Sequence, residues 1–421
     1  MRIGVGKDQP IRILGPVDPT FITLKKIASQ LNELCGAQFE FTILPLDQLH
    51  EEMQENQRRV RSYYDIVAVD LPWIGQLADS GAIMPMNNLI KEHHYRGSDF
   101  HNTIWQAARY RGQQFGIPIQ PTVELLFCRN DLLKNVGLSI PSTTDELLHA
   151  AQTLNGSQRG LSGVVMNFGR GTPVAHTFIQ TMADFGSPII NLDHTVDGFD
   201  TDNITSTNYR PLINTIAGRE TAEFLRELLN FSHPESLLCD WDRRIGIFSR
   251  GQAAMTYGWS IRAAKFELDE NALAHGKVGF APHPAKPGLK RVSPVGGFAL
   301  TLPASLDDES AKRAWKVMEY LTRPELMKLY VQSGNLTSPR FSTSADPEVQ
   351  AISGMFRVID QMEQKGTLKV WPRPPIPEFN DIASILGQEI YLMLNDQKTI
   401  QDTLTSAQNQ IDKVFRNNGR Y

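Results

Sequence analysis

Residues 255–265 read MTYGWSIRAAK, with the indole of Trp259 between Gly258 and Ser260, straight after the small, apolar run Gly251–Met255. A bulky indole where a short buried strand runs out into a glycine-marked bend has two uses. It plugs a core, or it is a flat wall offered to a ligand. Asp70 closes YDIVAVD beside Pro72, where a carboxylate withdrawn from water must find donors or cap the next helix. Gln120, Thr122 and Glu124 alternate along QPTVE and so share a face. Bond-making chemistry finds less support. GxSxG is absent, GWSIR lacks the second glycine, there is no P-loop, and GRG at 169–171 is too short for a dinucleotide fingerprint. His93, His94 and His101 resemble a metal set only superficially, because adjacent histidines point apart on a helix and the i+4 partners of the first two are Gly97 and Ser98. All three read as surface histidines. No catalytic residue, metal or cofactor is expected, and the chain reads as a binder.

The elements that must position these groups follow from periodicity. IRILGP (11–16) is a strand ending in a Gly-Pro turn, and the next segment spaces Phe21, Leu24, Ile27, Leu31 and Leu34 as one helix stopped by Gly36. AQFEFTILP alternates as a second strand, a polar helix covers 47–61, and the apolar run before Asp70 reads as a buried parallel strand. Strand alternating with helix makes an α/β lobe. Pro118 and Pro121 interrupt the extended segment at 115–133, which reads as a crossover between lobes rather than one sheet strand. A helix start lies at Ser142, Thr143 or Thr144 with Glu146 in its first turn. Further helices fall at 173–185, at about 212–231, on both sides of Arg323-Pro324 and in the tail from Pro377, with an Asp/Asn/Gly/Thr-rich surface stretch at 191–208. Asp307, Asp308 and Glu309 form the charged first turn of a helix.

With 421 residues the chain exceeds the ~250–300 at which single cores stop growing, so two lobes are expected. A net charge of −4 and 21% charged residues give no basic excess for nucleic acid or anionic lipid. No apolar run approaches the ~18–20 residues of a membrane-spanning helix. The opening MRIGVGKDQPIRILG has no apolar core or cleavage site and reads as carrying no export signal. Cys35, Cys128 and Cys239 are odd in number and widely spaced, so they read as buried small hydrophobes.

In order along the chain, YDIVAVDLPWIGQLADSGAIMPMNNLI, GIPIQPTVELLFCRNDLL, GKVGFAPHPAKPG, GGFALTLPASLDDESAKRAWKVMEYLTRPEL and SGNLTSPRFSTSADPEV resemble the family-1 extracellular solute-binding proteins of bacterial ABC importers, the maltose- and oligosaccharide-binding group. The resemblance runs from about residue 11 to 395. It implies a two-lobed periplasmic-binding-protein fold of type II, α/β in both lobes, with ligand held in a cleft between lobes joined by hinge crossovers. Residues 1–117 plus 279–322 would form one lobe and 118–278 plus 323–421 the other. It implies a monomer that binds a mono- or oligosaccharide, delivers it to ABC permease subunits, and works in the periplasm or at the cell surface.

Ligands of open α/β sheets bind beyond the carboxyl ends of strands, where Asp70, Trp73 and Trp259 fall. A sugar offers an apolar C–H face and a belt of hydroxyls, so it needs aromatic platforms beside carboxylates and amides. Trp259 matches the family's cleft tryptophan, and Trp73 either joins it or packs. Asn167, Phe168 and Arg170 are placed like a cleft edge of the second lobe. Gly296 and Gly297 permit close backbone approach at a strand start, with ligand contact the further reading for Gly297. Asn335 and Arg340 lie in a loop resembling the family's cleft-edge loop, and Arg340 would suit an acidic sugar by forked hydrogen bonding. Trp371 and Arg373, in KVWPRPPIPEFN, either face the ligand or strap a lobe. The rival readings are a binder of a polyamine or amino-acid derivative, a cytoplasmic ligand-sensing module and, more remotely, a glycosidase.

Overall fold

The computed structural model describes residues 9–421 apart from 194 and 196–198, which fall in the expected surface stretch. Its strands are β1 (Ile11–Pro16), β2 (Phe39–Leu44), β3 (Ile66–Asp70), β4 (Arg109–Tyr110), β5 (Gln113–Gln114), β6 (Ile117–Arg129), β7 (Ser162–Val165), β8 (Ala253–Trp259), β9 (Val278–Ala281), β10 (Ser293–Thr301) and β11 (Leu368–Lys369). The chain divides into two compact units. Unit 1 holds Met1–Thr122, Gly296–Asp360 and Pro375–Pro377; unit 2 holds Val123–Val295, Gln361–Pro374 and Glu378–Tyr421.

In unit 1, β1 pairs in parallel with β2 and with β3, and the second half of β10 runs antiparallel to β3, with Phe298 opposite Asp70. Buried apolar side chains form one core cluster that includes Phe21, Trp73, Phe298 and Trp315. The segment expected as one helix over 19–36 is two, Pro19–Lys26 and Ala28–Cys35, because Ile27 leaves helical geometry at φ −96°, ψ 11°. Gly36 ends the second helix at φ 68°, a left-handed conformation that suits glycine.

In unit 2, β7 and β8 are parallel, β8 pairs antiparallel with β6, and β6 pairs antiparallel with β9. The two prolines do not break β6, which runs unbroken through thirteen residues. Both lie before Glu124, where pairing with β8 begins. The helix Thr144–Leu154 starts with the expected reciprocal cap, Thr143 accepting from the Glu146 amide while the Glu146 carboxylate accepts from Thr143. Asp307 likewise caps the helix Asp308–Leu321.

The unit boundaries differ from the expected ones. Residues 279–295 stay with unit 2, since β9 is paired to β6 from Leu126 to Arg129. Residues 323–360 belong to unit 1, where the Tyr330 hydroxyl donates to the Leu321 carbonyl at 3.0 Å and Arg340 is tied to Thr322 and Asp99. The three cysteines are free and buried, as their composition suggested. Burial pushes the thiols of Cys35 and Cys239 up to about 12 and about 11, and raises Cys128 as well. Among the described residues no helix is long and apolar enough to cross a membrane.

Candidate functional site

Unit 2 gathers aromatic and polar groups at one edge of its sheet. Because β7 and β8 are parallel, their carboxyl ends share that edge, and Asn167 follows one while Trp259 ends the other. The helix Thr172–Asp184 also begins there, after Gly171 at φ 86°. Trp259 is 5% exposed, and the guanidinium carbon of Arg373 lies 5.3 Å from its ring centroid. His176, one turn into the helix, stands edge-on to Trp241 at 5.8 Å and to Phe379 at 5.7 Å. Burial, and secondarily the Arg373 charge, hold the imidazole well below its ordinary range, so it is neutral. Asp240 caps the helix Trp241–Ser249 by accepting from the amides of Asp242 and Arg243, which seats the half-buried Trp241 at the first helical position. Half-buried Trp371 precedes Arg373 by two residues. Asn167 donates from Nδ2 to the Pro173 carbonyl at 3.3 Å, while its buried Oδ1 has no hydrogen-bonding partner within the protein. Trp241 and His176 were not singled out from sequence. The Asp-Trp step before a helix and the His/Gln/Asp recurrence at 176, 180 and 184 were their available signals.

In unit 1 the clearest candidate is Asn335, 1% exposed, whose Oδ1 and Nδ2 both lack a partner within the protein. Its backbone is held, the amide donating to Tyr330 at 3.0 Å and the carbonyl accepting from Thr337 at 2.7 Å. The loop therefore presents a rigid amide with open valences. Asp70 is buried at the end of β3 and does not cap the following turn with its side chain. Thr122 is buried at the last position of unit 1 on β6. Gly297 has φ 104°, and a Cβ there would stand 1.9 Å from the Gln120 carbonyl oxygen, so its role is close packing of β10 against β6 within unit 1.

Several residues singled out from sequence are engaged inside their own unit. Trp73 packs in the unit 1 core, edge-on to His50 at 4.8 Å. Gln120 accepts from the Thr20 amide at 3.2 Å and donates to Asp18 at 2.8 Å, so both ends of its amide are occupied. Glu124 pairs with Arg244 at 2.5 Å, both buried. Arg340 donates to the Thr322 carbonyl, Asp99 and the Tyr95 hydroxyl at 2.6, 3.3 and 2.9 Å, and lies 4.0 Å above Phe100. A guanidinium so employed has no fork to offer an acidic sugar. Exposed Arg170 donates twice to Gln388, at 3.1 and 2.6 Å.

His101 is a further correction: it is fully buried, its ring stacked on Phe341 at 4.0 Å. Ser344 and Asp360 lie beside it, but both approach Nε2, each at 3.3 Å, while Nδ1 has no partner within the protein. A Ser-His-Asp relay needs the carboxylate on the opposite nitrogen from the hydroxyl. This trio is a buried tether.

A family model described as bacterial extracellular solute-binding protein matches residues 22–328. The chain belongs to that family. A solute-binding protein from Agrobacterium radiobacter K84, solved in complex with ribitol, superposes with a TM-score of 0.87 at 24% identity, covering 97% of this chain and 99% of that one. One from Agrobacterium vitis S4 with bound D-mannitol gives 0.82 at 18% identity, covering 97% and 99%. A probable amino-acid ABC transporter periplasmic-binding protein of Sinorhizobium fredii NGR234 is 20% identical across 98% of this chain and 90% of its own length. The fold is thus the two-lobed α/β fold of periplasmic solute-binding proteins.

Proposed function

We propose that this protein captures an uncharged polyhydroxylated solute, a sugar or sugar alcohol, in the periplasm or at the cell surface and delivers it to an ABC permease without altering it. The observation that carries this reading is the unit 2 edge, where the indoles of Trp241 and Trp259, the Arg373 guanidinium, neutral His176 and the open Asn167 carbonyl lie near one end of the sheet, with half-buried Trp371 two residues before Arg373 proposed as a further platform. Flat apolar faces beside neutral hydrogen-bonding groups suit a ring or chain of C–H and O–H groups. In unit 1, Asn335 offers an amide of the same character, Asp70 a carboxylate that accepts hydrogen bonds and Thr122 a hydroxyl. The sugar alcohols held by the two superposed proteins support the same class. An amino-acid derivative is the second reading, favoured by the name of the Sinorhizobium relative.

Titration calorimetry with ribitol, D-mannitol, maltose and a set of amino acids separates the two. Trp259→Ala should weaken polyol or sugar binding at least about tenfold, since a stacked aromatic platform contributes ~1–3 kcal/mol. Unchanged affinity would remove Trp259 from the site, and binding of amino acids alone would overturn the sugar class.

A further inference from the structure

The helix Thr172–Asp184 is buried at every position from Val174 onward, and one of its buried faces is polar where a core helix is ordinarily apolar. His176, Gln180 and Asp184 recur every fourth residue, so they lie along one face, and all three are buried. At the His176 end stand Trp241 and Phe379, and the Arg373 charge that acts on His176 also lies over Trp259.

A second group converges at the Asp184 end. Asp184 Oδ1 is 3.2 Å from His283 Nδ1, His283 Nε2 is 3.9 Å from Glu124 Oε2, and the His283 ring lies 4.5 Å from that of Tyr257. In the β6–β8 register Glu124 is opposite Trp259 and Leu126 opposite Tyr257, so Glu124, Tyr257 and Trp259 project from one face of the sheet.

Four polar atoms of this group have no hydrogen-bonding partner within the protein: Gln180 Nε2, Asp184 Oδ2, the Tyr257 hydroxyl and His283 Nε2, on side chains no more than 3% exposed. Native cores leave few such atoms unmet, because each has given up its water. Their chemistry is mixed. The Gln180 nitrogen donates, the tyrosine hydroxyl does both, and a carboxyl oxygen and an imidazole nitrogen take either role with protonation and tautomer. An ion would be matched by a set of one sign, whereas a hydroxyl group both donates and accepts. Burial raises the Asp184 carboxyl well above its ordinary value and lowers the His283 imidazole to about 4, so that imidazole is neutral at pH 7.

We propose that the polar face from His176 to Asp184 is an internal subsite of unit 2 that binds uncharged hydroxyl groups. Ordered water and the inner end of a polyhydroxylated solute share that chemistry, and the second occupant rests on the function proposed above.

Tyr257→Phe and Gln180→Met in the full chain test it, each deleting an open valence while keeping shape. Thermal unfolding is followed without solute, and ribitol and D-mannitol are titrated by calorimetry. A melting temperature lowered by both substitutions without solute identifies water. An affinity lowered at least fivefold, with the solute-free melting temperature unchanged, identifies the solute, and loss of both identifies shared occupancy. A raised melting temperature, or no change in either reading, overturns the subsite, since deleting an unmet polar atom relieves the protein. If the unsubstituted protein binds neither polyol, the solute arm of the subsite fails with these probes, while the solute-free melting temperatures still decide the subsite.

Discussion

Glu124 was expected at the ligand, yet it is buried against Arg244 at 2.5 Å, and substituting either residue distinguishes the two roles. Glu124→Leu strands a guanidinium that does not shed its proton at any accessible pH. Arg244→Met strands the carboxylate, whose other oxygen lies 3.9 Å from His283, an imidazole that is neutral at pH 7. Breaking a buried pair from one side costs ~3–5 kcal/mol, whereas replacing both partners with apolar residues is often neutral. At ~2–4 °C per kcal/mol for a body of this size, each single variant should melt about 6–20 °C lower. The double variant should recover most of the loss. Urea unfolding followed by circular dichroism gives the four free energies of the cycle, and calorimetry gives the solute affinity of each. Losses under about 1 kcal/mol together with a collapse in affinity would refute the structural reading and return Glu124 to the ligand.

Further outcomes concern the same unit and its neighbour. His283, lowered to about 4 in the fold against ~6.5 when unfolded, contributes stability that is complete above ~6.5 and lost as pH falls towards 4. The loss is about 3 kcal/mol, at 1.36 kcal/mol per pH unit, and urea midpoints between pH 7 and 4 should show it disappear in His283→Gln. Asp184, raised in the fold, acts with the opposite sign: its contribution is present at low pH and declines as pH rises. Asp184→Asn should therefore steepen the net acid-side loss, and a shallower slope would contradict the assignment. Gly297→Ala must seat a methyl carbon 1.9 Å from the Gln120 carbonyl at positive φ, and should lower unfolding free energy by at least about 2 kcal/mol in urea titration.

Much of the scaffold was readable before any coordinates, because strand ends and caps are written locally. The run ending in Asp70, the capping pair Thr143 and Glu146, and the Arg323-Pro324 break each follow from residues within a few positions of one another. The pause at Ile27 was invisible, since apolar spacing continues through it. Side-chain partners were harder still. Alternation gives Gln120 and Glu124 like positions along the extended segment, but not that Asp18 and Arg244 occupy their polar ends. Arg340 draws its partners from Thr322, Asp99 and Tyr95, distant in sequence, and so could not be separated from a ligand-facing arginine. Burial of His101 against Phe341 is long-range for the same reason.

The sequestered thiols have a practical corollary. Alkylation requires an accessible thiolate, and Cys35, Cys128 and Cys239 offer neither access nor ionisation near neutrality. A single cysteine introduced at an exposed position, such as in place of Ser98, would take up a maleimide fluorophore alone. The native chain is thus already a low-background chassis for an optical reporter of solute capture.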